Sequence, residues 1–291
     1  MALMIGRIIK LNFALLMTSL MLSSAKAVDM YVSSTGNNTI YRMKDDGSYA
    51  IFNDTISSPT GLTFGNGKFF VNSGGSKIVT FTWTGVVTDF ITSGISNPSG
   101  LAYGPDGFLY IADSGSNSIL RSDDAGNLTS FATGLSNPRG LTFDNQGNLY
   151  VTNGITAGSI SKITRDGTRT TFTSGLNSPY GIAFGSNNLL YVTTQGDGGV
   201  SEVTLAGVAT LKGSGIASPT GVYLSSSGDV RVASQSTGII YSVFSVAQAT
   251  PFASGFNSPS FISVPEPSTY VLGCTAIVLL GVCKRRKSAR S

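Results

Sequence analysis

The side chains that most often carry out enzyme chemistry are scarce in this sequence. It contains no histidine among 291 residues, and its two cysteines, Cys274 and Cys283, both lie near the C-terminus. A Ser-His-Asp nucleophile, a histidine-ligated zinc ion and an imidazole base are therefore excluded, and thiol chemistry is excluded from the rest of the chain. What remains is carboxylate chemistry, with or without calcium. The sequence does not indicate a calcium site, so no cofactor is expected.

Four residues form a candidate ligand-binding site. Arg139 and Tyr180 each directly follow a recurring proline, where the other copies have Ser or Thr. Asp113 and Asn153 each end a recurring apolar run, where the other copies have Ser or Thr as well. These side chains would place a guanidinium, an aromatic ring, a carboxylate and an amide on one side of an opening that is otherwise lined by small residues. Such a group of side chains suits a sugar or a carboxylate-bearing ligand. The alternative is that these side chains only satisfy loop backbone and solvent.

The recurring proline belongs to a repeat of 39 to 41 residues that extends over most of the chain. The sequence Pro-x-Gly begins at five positions, and a sixth copy has Phe261 in place of glycine; the prolines are Pro59, Pro98, Pro138, Pro179, Pro219 and Pro259. Each period contains four short apolar runs separated by turns rich in Gly, Asn and Asp. Four short strands per period are typical of one blade of a β-propeller.

Aspartate-rich stretches in the repeat are interpreted as turns. Asp46-Gly47 and Asp166-Gly167 fit tight hairpins, because glycine adopts positive φ without a steric cost. The stretch from Asp123 to Asn127 lies where a hairpin turn is required and lacks the full ligand series of a calcium loop.

The two ends of the repeat region are complementary. The segment from Met30 aligns without a gap on the second to fourth runs of a repeat, so it lacks a first strand. The last copy contains only a first strand, Phe261 to Val264. Together they make one blade, which predicts an all-β, six-bladed β-propeller over residues 28–264, closed by a composite blade with no exposed edge at the closure. A parallel β-helix is the alternative fold, but its coils are usually shorter and it does not require complementary ends.

Residues 97–119, "NPSGLAYGPDGFLYIADSGSNSI", closely resemble the NHL repeat. The chain from residue 28 to 264 is similar to the NHL-repeat and gluconolactonase-like six-bladed propellers, which include lactone hydrolases, lyases and binding modules. The resemblance to the gluconolactonase-like enzymes implies a divalent ion in the central channel, held by a Glu, an Asn and an Asp from different blades. The only glutamate of the repeat region is Glu202, which lies in the third run of its blade and is expected away from the axis.

Two classes of function follow from these observations. We expect a non-catalytic module that binds polysaccharide, protein or a small ligand. The alternative is a divergent metal-dependent hydrolase or lyase of the gluconolactonase-like group.

The N-terminus has the order of parts of a secretory signal peptide. Arg7 and Lys10 precede the apolar run "LNFALLMTSLML", and Ala25-Lys26-Ala27 forms a small-x-small cleavage pattern. Residues 1–27 are therefore predicted to be a signal peptide, and a buried N-terminal helix is the alternative.

The C-terminal segment, residues 265–291, has the parts of a sorting signal. Pro265, Glu266 and Pro267 precede an apolar run from Tyr270 to Cys283 and a basic cluster that includes Arg285 and Arg286. A helix over that run would be about 21 Å long, against about 30 Å for a hydrocarbon core, which suits a short transmembrane helix used as a transient anchor. The basic cluster would stay on the cytoplasmic side.

This order of parts resembles the PEP-CTERM sorting tail of Gram-negative bacteria. The resemblance implies recognition and removal of the tail by an exosortase-type membrane enzyme, and delivery of the propeller to the outer surface or the exopolysaccharide matrix. A plain C-terminal membrane anchor is the alternative.

The charge of the propeller region differs from that of the whole chain. Outside the two terminal segments eleven basic and fourteen acidic residues remain, a formal charge of −3, whereas the whole chain carries +4. Because phosphate binding depends on clustered cations, nucleic acid is not an expected partner.

Overall fold

The computed structural model describes residues 29–225, 228–244 and 249–264, and these form six four-stranded antiparallel sheets. Blade 1 contains β1 (Met30–Ser34), β2 (Thr39–Met43), β3 (Tyr49–Asn53) and the last strand, β24 (Pro259–Ser263). Blade 2 contains β4 (Leu62–Gly65), β5 (Lys68–Ser73), β6 (Lys77–Phe81) and β7 (Val87–Ile91). Blade 3 contains β8 (Pro98–Tyr103), β9 (Leu109–Asp113), β10 (Ser118–Ser122) and β11 (Leu128–Ala132).

The remaining three blades follow in chain order. Blade 4 contains β12 (Pro138–Phe143), β13 (Leu149–Asn153), β14 (Gly158–Ile163) and β15 (Arg169–Leu176). Blade 5 contains β16 (Pro179–Phe184), β17 (Leu190–Thr194), β18 (Gly199–Val203) and β19 (Ala209–Gly213). Blade 6 contains β20 (Pro219–Leu224), β21 (Val230–Ser234), β22 (Ile239–Val243) and β23 (Thr250–Ser254).

The composite blade predicted from the sequence is confirmed. Strand β24 pairs with β1 in antiparallel register, with Tyr31 opposite Ser263 and Val32 opposite Ile262. The Ser34 hydroxyl donates to the carbonyl of Asn257 at 2.6 Å and adds a side-chain bond to the closure. The first strand of each blade lies beside the first strand of the next, so the six form an inner ring around a central channel.

The glycine of Pro-x-Gly permits the close approach of neighbouring inner strands. A Cβ placed on Gly100 would lie 2.2 Å from the carbonyl oxygen of Arg139 in the next blade, and one on Gly181 would lie 2.2 Å from the carbonyl oxygen of Thr220. Any larger residue at these positions would force the blades apart. The repeated glycine therefore reflects packing between blades.

Hydroxyl groups join several pairs of blades near the channel. Thr152 Oγ1 donates to the Tyr180 carbonyl at 2.6 Å, and Thr193 Oγ1 donates to the Thr220 carbonyl at 2.7 Å. Each bond runs from the second strand of one blade to the inner strand of the next. Such bonds satisfy buried carbonyl groups that the strand ladders leave unpaired.

The core consists of apolar layers between successive blades. At one recurring position of the second strand an aromatic residue is buried in blades 1 to 5; these are Tyr31, Phe70, Tyr110, Tyr150 and Tyr191. Blade 6 has Arg231 at this position, and its guanidinium carbon lies 4.0 Å from the centre of the Phe252 ring. The cation thus packs against an aromatic face in place of a sixth ring.

The predicted signal peptide and C-terminal segment lie outside the described residues. Within the described ranges, no helix is long and apolar enough to cross a membrane.

Candidate functional site

The recurring prolines all lie at one face of the propeller, which we call the anchor face. Second strands run antiparallel to first strands and therefore end at this face: Pro98 pairs with Asp113, Pro138 with Asn153 and Pro179 with Thr194. The hairpin turns that join first to second strands and third to fourth strands lie at the opposite face, which we call the turn face. All four residues of the candidate site belong to the anchor face.

Arg139 and Tyr180 lie next to each other. They follow the prolines of adjacent inner strands, and the guanidinium carbon of Arg139 lies 5.4 Å from the centre of the Tyr180 ring. The stem of Arg139 passes over Gly154, where an added Cβ would come within 2.7 Å of Arg139 Cγ. Within the described residues the Arg139 guanidinium makes no ion pair, and the Tyr180 ring is its identified partner.

The aromatic ring of Tyr180 also contacts a residue that lies two blades away. Its centre lies 5.9 Å from that of Phe261, on the inner strand of blade 1, although the inner strand of blade 6 lies between them. Two side chains that meet across an intervening inner strand must extend toward the channel. The pair therefore forms an apolar wall beside the Arg139 guanidinium.

Asp113 and Asn153 hold the loops behind this pair. Asp113 is 1% exposed, and its carboxylate accepts the N–H groups of Ser96 at 3.1 Å and Asn97 at 2.7 Å, and the Ser116 hydroxyl at 2.7 Å. Asn153 is 3% exposed; its amide oxygen accepts the N–H of Ser136 at 3.2 Å, and its amide nitrogen donates to the hydroxyls of Ser159 and Ser161, each at 3.0 Å. The structure thus gives these two residues a role in loop backbone bonding, while Arg139 and Tyr180 are only partly buried.

Two small residues missed by the sequence analysis lie in the same sector. The hydroxyls of Ser99, which precedes Arg139 in the ring, and of Thr194, which ends the second strand beside Tyr180, are buried without a hydrogen-bond partner in the described part of the chain. In the next two blades, 6 and 1, the equivalent hydroxyls have partners: Thr220 Oγ1 donates to the Pro259 carbonyl at 3.0 Å, and Ser260 shares a 2.8 Å bond with Thr35. Ser and Thr are interchangeable in the repeat pattern, so the sequence carried no signal for this difference.

The channel itself holds a cavity of about 410 Å³. It is lined by the later residues of all six inner strands, including Leu62, Leu101, Leu141, Ile182, Val222 and Ile262. The cavity therefore lies toward the turn face, and Phe261 lines its end nearest to Tyr180.

The residues present do not fit the channel metal site implied by the gluconolactonase-like resemblance. Glu202 lies on β18, the third strand of blade 5, and forms an ion pair with Lys212 at 2.8 Å. No group of three His, Cys, Asp or Glu side chains among the described residues could hold a metal ion. The aspartates of the turns bond to their own backbone, as Asp123 does with the N–H groups of Ala125 and Asn127 at 3.0 and 2.9 Å.

Comparison with known proteins identifies a family. A family model described as the virginiamycin B lyase family matches residues 13–242, more than half of the chain. No curated protein matches the chain.

Solved structures support the same architecture. A chain in the crystal structure of a nidogen/laminin complex is 18% identical, with a TM-score of 0.72, over 81% of this chain and 98% of that chain. A streptogramin B lyase is 19% identical, with a TM-score of 0.57, over 79% of this chain and 75% of the lyase chain. A third structure is a catalytically inactive histidine-to-alanine variant of virginiamycin B lyase from Staphylococcus aureus, with quinupristin. It is 17% identical, with a TM-score of 0.60, over 79% of this chain and 86% of that chain. At these identities the similarity shows the fold alone.

Proposed function

The chain belongs to the virginiamycin B lyase family, and from that premise we propose that it is an exported propeller that binds a carboxylate-bearing glycan at Arg139 and Tyr180 without catalysing a reaction. The observation that supports this most directly is the position of the Arg139 guanidinium, 5.4 Å from a tyrosine ring and in no ion pair within the described residues.

The chemistry of the pair favours an acidic sugar. Arginine stays charged at physiological pH and offers a planar fork of donors that matches a carboxylate. Tyrosine offers a flat apolar face with a hydroxyl at one end, which suits the C–H face and hydroxyls of a pyranose. The hydroxyls of Ser99 and Thr194, buried without a partner in the described part of the chain, lie in the same sector. Asp113 and Asn153 support the site by fixing the loops behind it.

The absence of histidine supports a non-catalytic role. In the Staphylococcus aureus relative, a histidine-to-alanine variant is described as catalytically inactive. This chain has no histidine in its 291 residues, so no imidazole is available to act as general acid or base. Its glutamate in the repeat region, Glu202, is engaged by Lys212.

Lyase activity is the second candidate, and family membership favours it. The test is to incubate the protein with quinupristin and with virginiamycin B and to follow both antibiotics by chromatography and mass spectrometry. Conversion that depends on protein concentration would establish the lyase and overturn the binding-module proposal.

The cellular location is proposed from the terminal segments alone. The signal peptide would export the chain, and an exosortase-type enzyme would act on the segment containing Pro265–Pro267 and Arg285–Arg286. The propeller would then lie at the outer surface or in the extracellular matrix of a Gram-negative bacterium, where exopolysaccharide is the ligand that we propose.

Binding is tested with Arg139→Ser and Tyr180→Ser combined. Ser or Thr occupies this position in the other four blades, so the fold should tolerate the change. We expect the melting temperature to change by only a few degrees and the number of acidic glycan molecules bound per chain, counted by calorimetry, to fall by one. Arg169→Ser, which removes one exposed positive charge at the start of β15, is the control for net charge. Equal glycan binding by parent and double variant would refute the site, and selective binding of a protein would replace glycan with protein as the ligand.

A further inference from the structure

The turn face carries a second cleft, of about 310 Å³, between blades 3 and 4. Pro105 and Asp106 of blade 3 form one wall, and Gly147 and Arg165 of blade 4 form the other. This cleft lies at the opposite end of the blades from Arg139 and Tyr180. It is a separate site, and only its role in connecting two polysaccharide chains rests on the proposed function.

Arg165 folds back onto its own blade and does not bridge to blade 3. Arg165 and Asp124 hold the same position in the last hairpin turn of successive blades, since their turns have equivalent backbone bonds. Asp124 connects blade 3 to blade 2, because its carboxylate accepts a 2.7 Å hydrogen bond from the side-chain amide of Asn66. Arg165 instead lies on Gly147, where an added Cβ would come within 2.6 to 3.0 Å of its Nε, Nη2 and Cζ.

The charged groups of the two walls do not neutralise each other. Arg165 and Asp106 both line the cleft, yet they form no ion pair within the described residues. Asp106 Oδ2 accepts the Tyr110 hydroxyl at 2.7 Å, and Oδ1 is only weakly engaged, by the Phe108 N–H at 3.4 Å. A carboxylate has about four acceptor positions, so Asp106 can accept further hydrogen bonds.

The floor of the cleft is aromatic. The rings of Phe131 and Phe143 lie edge to face with Tyr110 at 4.9 and 5.0 Å, and all three line the cleft. A second cation, Arg121, lies 5.7 Å from the Phe131 ring, and its Nε is buried without a partner in the described part of the chain. Among the described residues, the charged groups that line the cleft are therefore one guanidinium and one carboxylate, and the Arg121 guanidinium lies beside the Phe131 ring.

We propose that this cleft binds one uronic acid unit of an acidic polysaccharide. The sugar carboxylate binds the Arg165 guanidinium, sugar hydroxyls donate to Asp106, and the C–H face of the pyranose packs on the half-buried Phe131 and Phe143 rings. With a second ligand site on the anchor face, one propeller would connect two polysaccharide chains, and multivalent attachment would raise the overall strength of binding.

The test uses the full chain in the Arg139→Ser, Tyr180→Ser background, so that only the cleft can bind. Calorimetry with tetragalacturonate should give one site per chain, and neutral maltotetraose should bind at least tenfold more weakly. Arg165→Leu should weaken tetragalacturonate binding at least tenfold and Asp106→Asn several-fold. The fold should tolerate both variants, because blade 5 has leucine and asparagine at the equivalent turn positions, Leu205 and Asn187. Arg169→Leu, an exposed arginine of the same blade, is the matched control and should bind like its parent.

Three results would overturn the proposal: no tetragalacturonate binding in this background, equal binding by the Arg165→Leu variant, or equally tight binding of hexaglutamate. Failure of the anchor-face site gives a different result, since the parent and the double variant would then bind the same number of tetrasaccharides.

Discussion

The ring of Tyr180 lies 5.9 Å from the ring of Phe261, although the inner strand of blade 6 separates the strands that carry them. Phe261 is the one departure from glycine among six Pro-x-Gly copies. In the five regular copies, the glycine makes room for the carbonyl of the next blade. In the sixth, the side chain is directed so that it contacts Tyr180, and Tyr180 in turn contacts Arg139. The exception in the repeat therefore contributes one wall of the candidate site.

Replacing Phe261 should destabilise the propeller more than replacing its partner. Phe261 is 9% exposed and packs in the apolar layer between blades 1 and 2, so Phe261→Ala should cost about 3 kcal/mol of unfolding free energy. Tyr180 is half-buried, and Tyr180→Ser should cost about 1 kcal/mol. Urea unfolding followed by fluorescence measures both. Equal small losses would show that Phe261 serves only the ligand site.

Closure of the ring should depend on β24. A chain that ends after Phe256 lacks the strand that pairs with β1 and exposes the edge of blade 1. We expect aggregation or a large fall in melting temperature, because an unpaired edge invites intermolecular pairing. A chain that ends after Val264 keeps the whole composite blade and is the control, with a melting temperature like that of the propeller in the full chain. Similar melting of the two truncated chains would contradict a structural role for β24.

Alkaline pH should destabilise the fold through two tyrosines. Burial, together with the neighbouring Asp124 and Asp106 carboxylates, raises the pKa of Tyr103 and of Tyr110 from 10.0 to about 12. The folded state therefore holds these protons more tightly than the unfolded chain. Their contribution to stability is complete below pH 10 and is lost as the pH rises toward 12.

Near-ultraviolet titration of tyrosinate absorbance checks this pH dependence. Tyr103 and Tyr110 should be among the last tyrosines to ionise, since burial also raises the pKa of Tyr150 and Tyr191. Asp106→Asn should lower the pKa of Tyr110 and, to a smaller extent, that of Tyr103, because Asp106 accepts the Tyr110 hydroxyl and is the smallest cause of the shift at Tyr103. Ionisation of all tyrosines near the pKa of free tyrosine, in a protein shown by circular dichroism to be folded, would contradict it.

The C-terminal segment should be removed in the native host. The apolar run is short for a permanent span, and the Pro265–Pro267 stretch precedes it. Intact-mass measurement of protein purified from the cell surface should show a chain that ends before Tyr270. A mass that still includes Arg285 and Arg286 would identify a plain membrane anchor instead.

The sequence alone was sufficient to predict the propeller, its six blades and its composite closure. A repeat imposes the same strand order on every copy, and complementary partial ends can be joined in only one way. The sequence also predicted that Arg139 and Tyr180 would be neighbours, because equivalent positions of consecutive blades lie side by side around the ring.

Tertiary structure alone decided what each side chain does at these equivalent positions. Asp113 and Arg139 both belonged to one predicted site, but the carboxylate is buried among loop N–H groups while the guanidinium lies on a ring. Arg165 and Asp124 have the same place in their turns, yet one folds onto its own glycine and the other bonds to the preceding blade. The backbone of a repeat is set locally, whereas the direction of a side chain depends on neighbours about forty or more residues away, and no pattern within one repeat encodes them.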